Sequence, residues 1–411
     1  MTVSITEALD IIYKNTPVLN FEILPIENAL GRIIREDCMA TFDLPRFDNS
    51  AMDGYAIKYT DAGTTVTCTK VIYAGDNPEM TLEEKTAIKI MTGAPLPKGC
   101  EAVVPIEDVT SNDTQITLPN KIPIHANLRY AGEDIKSGTV YIHKGETITA
   151  YSIALLASQG VTHIRVTRPV RVAVFGTGNE LHPHFDTIEA HQLYNSNTPM
   201  FLARAKELGC EAHYIGSCDD IMDSLETSIH SALNDDIIIT TGGVSMGDKD
   251  FTKDAFKNLG ARFYFEKVDI KPGKPTAFGM IKNTVIVNLP GNPLASMVNY
   301  ELFVRAIIRK LSGRKDYLHD TIKTTMKSNF VVKGGKNTAV LGTFNGKHFE
   351  PLKPQMPGMV SPMQKADGLI LVTPNVTMIK DGHSVNMIPI KWDCCSMHEE
   401  ELFSQQGLIL L

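Results

Sequence analysis

Apolar residues recur at helical spacing from Ile5 to Asn15, at Ile5, Ala8, Leu9 and Ile12, with Thr6 and Glu7 suiting a first turn. One amphipathic helix therefore opens the chain. From Phe42 to Lys144 the pattern becomes short alternating segments broken by Gly75, Asp76-Asn77-Pro78, Pro95-Leu96-Pro97 and Lys98-Gly99, the punctuation of a β-rich region. Tyr151 to Gly160 reads as a helix closed by its terminal glycine.

The character changes again at Arg168-Pro169. Short apolar runs at Val170–Phe175, Glu211–Ile215, Asp236–Thr241 and Thr284–Leu289 alternate with helical patterns at Pro199–Leu208, Ile221–Leu233, Phe251–Leu259 and Pro293–Leu311. This alternation predicts an α/β domain with a parallel sheet covered on both faces, whose ligands sit at the carboxyl ends of the strands. Past Ser312-Gly313, the tract Thr321–Lys391 returns to short strands, with turns expected at Gly334-Gly335, Asn345-Gly346 and Asp381-Gly382. No internal repeat is visible.

At roughly 100 to 200 residues per domain, 411 residues make two to four domains, each able to bury its own core. Lys+Arg 40 against Asp+Glu 47 leaves −7, so no global positive field exists to hold a polyanion, and nucleic acid is not expected as a partner. A small anion needs only a few placed lysines. The amino end lacks a basic stretch followed by an apolar block, and no run of about 18 apolar residues occurs, so no membrane association and a cytoplasmic location are expected. Seven cysteines, an odd number with no C-x-x-C pair, indicate neither a disulfide scaffold nor a zinc site. His182-Pro-His184 is read as a solvated loop, because two histidines seldom complete a zinc shell.

The candidate chemistry lies at strand ends. Asp236 to Asp250 runs from a buried strand into a glycine-rich loop and a helix. Gly242, Gly243 and Gly247 permit close backbone approach and Ser245 adds a hydroxyl, which together suit an anion cradle, although a plain tight connection has the same form. It is not a Walker A loop, for no Gly-Lys-Ser/Thr follows. Val172 to Leu181 also ends in glycines, but Leu181 stands where a dinucleotide fingerprint has its third glycine. That leaves Glu180 as a candidate for metal or proton work, or as an ordinary cap. Lys267, Lys271 and Lys274 surround a Pro-Gly turn and suit phosphate, or are merely solvated. Leu289 to Leu294 brings a further strand into a tight turn, with Pro290 leading to Asn292 as N-cap and Pro293 at the first helical position. In the β-rich tract, Asp53-Gly54 reads from physics alone as a plain turn, and Met91–Pro97 and Gly132–Ile135 are open in the same way.

In order along the chain stand PRFDNSAMDGYAI, MTGAPLP, NLRYAGEDI, FGTGNEL, TTGGVSMGDKD, IKPGKP and LPGNPLAS. This set closely resembles the MoeA family of molybdopterin molybdenumtransferases, which includes the gephyrin E domain. The resemblance spans nearly the whole chain. It implies a multidomain α/β plus β fold: a discontinuous helical or mixed domain (1–41 and 145–168), joining the opening helix to the segment around Tyr151 to Gly160, a β-rich inserted domain (42–144), an α/β molybdopterin-binding domain (169–315) and a small β-barrel-like domain (316–411). The implied reaction inserts molybdate into the dithiolene of adenylylated molybdopterin and releases AMP and molybdenum cofactor, helped by a divalent cation such as Mg²⁺. Carried over position by position, Asp53, Thr92, Asp134, Glu180 and Asp250 are catalytic, and the metal set is Glu180, Asp250 and either Asp219 or Asp220. Gly242, Gly243, Ser245, Gly247, Lys267, Lys271, Lys274, Pro290 and Pro293 would hold the pterin phosphate. The resemblance further implies a homodimer whose site is shared between chains, with molybdopterin adenylyltransferase and apo-molybdoenzymes as candidate partners. The sequence departs from the family where Gly-Asn-Glu-Leu replaces the common Gly-Asp-Glu-Leu, and in a tail holding Cys394 and Cys395. Two other readings stand beside it: the adenylyltransferase of the preceding step, which needs neither the β-rich tract nor the terminal domain, and a non-catalytic gephyrin-like scaffold.

Overall fold

The computed structural model describes residues 2–76, 79–178, 180–218, 222–242 and 251–391. Asp219, Asp220, Gly243, Ser245, Gly247, Asp250, Cys394 and Cys395 lie outside the described residues. Ser4 opens helix α1 (Ile5–Asn15) with a reciprocal cap: its hydroxyl accepts from the Glu7 N–H while the Glu7 carboxylate accepts from the Ser4 N–H. The buried stripe Ala8 and Ile12 does not meet helix α2 (Ala150–Ser158), as the family resemblance leads one to expect. It joins the core of the α/β domain together with Val3. The physical cause is the parallel pairing of Thr2–Val3 with Lys267–Val268, which anchors the first residues beneath that domain.

After α1 the chain leaves the α/β core. Helix α2 and the antiparallel pair Phe21–Pro25 and His163–Thr167 form their own cluster around Ile26, Ile34, Leu156 and Val166. Between them is a six-stranded sheet in the order Ala102–Pro105, Gly54–Ile57, Thr86–Ile90, Thr65–Ile72, Gln115–Thr117 and Thr110–Asn112. Both faces of Gly54–Ile57 are covered, Tyr55 and Ile57 by one cluster and Ala56 by another.

The α/β domain is built on a second six-stranded sheet, in the order Glu211–Cys218, Arg171–Thr177, Ile237–Thr241, Thr284–Leu289, Ala277–Ile281 and Arg262–Phe265. The first four strands are parallel, as the alternation predicts, while at the edge Ala277–Ile281 pairs antiparallel with Thr284–Leu289 and Arg262–Phe265 antiparallel with Ala277–Ile281. Ile237, Ile238 and Ile239 have no exposed surface, and burying such a side chain stabilises by about 1.5–3 kcal/mol. Their side chains alternate between two cores, which is why the strand reads as an unbroken apolar run. One core receives α1, helix α3 (Asn197–Glu207) and helices α6 (Pro293–Asn299) and α7 (Arg305–Leu311); the other receives α4 (Met222–Ser231) and α5 (Phe251–Asn258). The helical pattern expected over Pro293–Leu311 is interrupted by a wider π turn at Tyr300–Val304. All five of those residues are buried, so apolar periodicity carries no trace of the change.

The terminal domain is a closed barrel of strands Ile322–Met326, His348–Pro351, Thr338–Phe344, Gly368–Val372 and Ser384–Pro389, with helix α8 (Ser361–Lys365) beside it. Closure leaves no unpaired sheet edge. Gly335, Gly346 and Gly382 occupy left-handed conformations at the expected turns. Among the described residues no helix is long and apolar enough to cross a membrane, and Cys38, Cys68, Cys100 and Cys210 are free thiols.

Candidate active site

The carboxyl ends of the parallel strands open onto a cavity of about 580 Å³, lined among others by Glu180, Asn195, Asn197, Gly242, Pro290 and Pro293. Gly358 and Val360, just ahead of α8, bring the barrel domain to the same wall. Gly242 has φ +90°, and a Cβ there would lie 2.1 Å from the Thr177 carbonyl oxygen, so only glycine fits. The turn holding Gly291 passes close by: its own Cβ position is 3.6 Å from the Gly242 Cα. Two loops thus meet through bare backbone at the cavity floor.

A buried amide holds the two loops together. Asn197 donates through Nδ2 to Thr241 Oγ1 and to the Gly291 carbonyl, both at 2.8 Å. Thr241 Oγ1 donates to the Pro290 carbonyl at 3.1 Å, and Ser296 Oγ donates to the same oxygen. Asn195 in turn donates to Thr198 Oγ1 at 2.9 Å and accepts from the Thr198 N–H at 3.1 Å, which fixes the start of α3. Sequence reasoning missed these two asparagines because it began the helix at Pro199. The signal was present as Asn195-Ser196-Asn197-Thr198 ahead of a proline, a helix-start pattern. Asn292 does sit at the N-cap of α6 with Pro293 following, but its side chain makes no capping bond.

Glu180 is exposed, and its carboxylate folds back over Gly178, where a Cβ would meet both oxygens at 2.9 Å. Leu181–His182 forms a short strand beside Leu193–Tyr194, so His182 belongs to paired backbone rather than to the solvated loop expected. Lys267, Lys271 and Lys274 are not among the cavity's lining residues. Lys267 pairs with the amino-terminal strand, and the backbone of Lys271 bonds to Asn337 and Ala339 of the barrel domain at 2.8 Å each. Their turn reaches the cavity through Pro275.

Asp53, Thr92 and Asp134 assemble at a second place. The three motifs that carry them are stitched together: Leu96 N–H donates to the Asp48 carbonyl at 3.0 Å, Ala131 N–H to Asp48 Oδ1 at 2.8 Å, and Asp134 N–H to the Leu44 carbonyl at 3.0 Å. Gly54 is a strand residue rather than part of a plain turn. A Cβ there would lie 2.2 Å from the Val104 carbonyl oxygen, and this close approach, not a bend, requires the glycine. The register Gly54↔Ile90 sets Asp53 beside the start of the Met91–Pro97 loop. Thr92 then donates twice to Asp53, and these bonds hold the exposed carboxyl below its ordinary pKa, the N–H contributing more than the hydroxyl and Lys89 adding a smaller attraction. Asp134 is exposed.

Three family models match the chain in order: the MoeA N-terminal region (domain I and II) over residues 3–160, the probable molybdopterin binding domain over 173–310, and the MoeA C-terminal region (domain IV) over 324–390. The molybdopterin molybdenumtransferase of Staphylococcus aureus strain COL is 31% identical over 413 residues, covering 97% of this chain and 98% of that protein. The chain belongs to the MoeA family. A relative of the same name from Haemophilus influenzae is 37% identical across 72% of this chain and 74% of its own length. The molybdopterin biosynthesis MoeA protein of Pyrococcus horikoshii superposes with a TM-score of 0.81 at 28% identity, over 95% of this chain and 100% of that one. As a MoeA-family protein the chain is a molybdopterin molybdenumtransferase acting in molybdenum cofactor biosynthesis.

Proposed function

We propose that the substrate is adenylylated molybdopterin, and that the chain inserts molybdate into its dithiolene with release of AMP and molybdenum cofactor. The observation that carries this is the strand-end cavity, where two loops meet through glycine backbone and one exposed carboxylate, Glu180, stands at the wall. Bare backbone gives a phosphate room to approach N–H groups, and the lysine-bearing turn that enters through Pro275 adds positive charge nearby. Asn197 keeps the two loops at fixed separation, so the cradle does not need to be assembled by the ligand.

Mg²⁺ is commonly held by one or two carboxylates together with substrate phosphates. Glu180, exposed beside the phosphate cradle, fits that donor set, and Asp219 or Asp220 and Asp250 would complete it. The cation would neutralise charge on the phosphoryl groups as AMP departs. Asp53 would serve as proton acceptor through Oδ2, the oxygen that Thr92 leaves unengaged.

Asp53, Thr92 and Asp134 are not among the described residues that line the Glu180 cavity. A homodimer that lays the β-rich sheet of one chain against the α/β cavity of its partner would complete the site, as a two-fold interface allows. Delivery of substrate by the adenylyltransferase and of product to apo-molybdoenzymes, in the cytoplasm, accords with this reading. The test is incubation of the purified chain with adenylylated molybdopterin, molybdate and Mg²⁺, with AMP and reconstitution of an apo-molybdoenzyme as readouts. AMP formation without reconstitution, or neither, would overturn it.

A further inference from the structure

At the opposite, amino ends of the parallel strands lies a separate cavity of about 200 Å³, where the α2 unit, the α/β domain and the linker to the barrel meet. Among the described residues four arginines line it, Arg32, Arg168, Arg309 and Arg314, and no carboxylate does. Thr167, 2% exposed, lines it as well, and its hydroxyl has no hydrogen-bond partner. Beside it, Gly313 adopts φ +75°. A Cβ at Gly313 would lie 2.7 Å from Arg35 Nη1, 2.7 Å from Val18 Cγ1 and 3.5 Å from Thr167 Oγ1, so the two donors pack close together against Gly313 at the cavity's edge, with Arg35 just outside the lining.

The inventory of donors and acceptors is lopsided. Arg32 reaches Glu22 and the Thr167 carbonyl through Nη2 alone. Arg168 uses only its two terminal nitrogens on Asp236 and Pro169, and Arg309 only its two on Leu318 and Asp320. Arg314 spends Nε and Nη2 on Asp316. Each guanidinium therefore retains a donor. Arg35 makes no side-chain hydrogen bond or ion pair among the described residues, and its Nε is buried. Most of the helix-end acceptors near the site, by contrast, are taken. Helices α3 and α7 both end at the cavity, but their last carbonyls are capped: Ala205 by Cys210, Lys206 by Gly209, Ile308 by Ser312, Lys310 by Gly313 and Leu311 by Leu19. A half-buried site with surplus charged donors and an unpaired buried hydroxyl suits an occupant that only accepts.

We propose that this junction binds a tetrahedral oxyanion, such as sulfate or inorganic phosphate, held by the Thr167 hydroxyl and the remaining donors of the four lining arginines, with the unpaired Arg35 guanidinium just behind them. Geometry separates this site from the Glu180 cavity, which stands at the other ends of the same strands. An anion here ties the α2 unit, the α/β domain and the linker together by charge-assisted hydrogen bonds.

The test is calorimetric titration of the full chain with sodium sulfate and, separately, with sodium phosphate, with ionic strength held constant by sodium chloride. The expected result is a saturable component of one anion per chain, distinct from any taken by the strand-end cradle, that is weakened roughly tenfold or more by Arg35→Gln and by Thr167→Val and retained in Thr167→Ser. Circular dichroism checks each fold; should Arg35→Gln not fold, the Thr167→Val and Thr167→Ser pair decides by itself. No saturable binding of either anion, or parent-like affinity in Thr167→Val, would each overturn the proposal.

Discussion

Thr92 gives both its backbone N–H and its hydroxyl to one oxygen of Asp53, Oδ1, each at 2.7 Å. The second carboxylate oxygen has no protein donor among the described residues. Asp53 is therefore anchored by one oxygen and presents the other outward, the arrangement expected of a base that is aimed before its substrate arrives.

If Asp53 acts ionised, Thr92→Ala leaves the N–H bond but removes the hydroxyl bond, and the carboxyl pKa moves up toward its ordinary value. The acid limb of the rate profile should shift to higher pH while the fold is kept. Asp53→Asn should lower AMP formation by on the order of 100-fold with little change in melting temperature, since the side chain is exposed. A near-parental rate for Asp53→Asn would reduce this pair to a structural turn.

Mixed dimers test the shared site. Asp53→Ala and Glu180→Ala chains, each inactive alone, should recover activity after subunit exchange, because one of the two sites in a mixed dimer is intact. Mass spectrometry can verify the exchange. Exchange without recovery would mean that each chain supplies its whole site.

Asn197 offers a stability measurement. Asn197→Ala leaves the Gly291 carbonyl and Thr241 without their shared donor, and should cost about 1–3 kcal/mol in urea unfolding. Asn197→Asp should cost more, since it replaces the donor with a buried negative charge facing carbonyl oxygens. Equal stability of the aspartate and alanine variants would contradict the donor role.

His319 sets a pH dependence. Its Nε2 bonds to the Leu302 carbonyl at 2.6 Å and its Nδ1 meets Arg305 at 3.2 Å. Burial, and then the Arg305 charge, hold its pKa down to about 4 against an ordinary 6.5. The folded pKa is the lower one, so the unfolded chain binds the proton first. Stability is full above pH 6.5 and falls as pH drops toward 4, by up to about 3 kcal/mol from this group. His319→Asn should flatten that part of the stability curve, read by urea midpoints from pH 7 to 4.5. An unchanged slope would acquit His319.

Much of the α/β domain was legible because its central strands are unbroken apolar runs between amphipathic helices, and the seven ordered motifs identified the family. The antiparallel edge was not. Ala277–Ile281 turns into Thr284–Leu289 through Lys282-Asn283, which lacks the Asn-Gly or Asp-Gly that marks a tight hairpin, although Lys282 takes φ 52°. The attachment of α1 was hidden for another reason. An amphipathic stripe states that a partner exists, not which one, and the partner helix α7 lies far along the chain. Nor could spacing reveal that Asn197 bridges two loops, because hydrogen-bond partners so distant in sequence leave no local pattern.

The seating of α1 against α7 also governs how the molecule is made. Helix α1 must wait for the much later α7 before its apolar stripe is covered, while the two units that lie between them in sequence can together finish earlier. Entry and exit of that insertion lie side by side, with the Arg168 N–H bonded to the Asn20 carbonyl at 3.1 Å. The strand pair at Thr2–Val3 and the stripe of α1 thus become stitches that close the α/β core only after the later strands and α7 have been made.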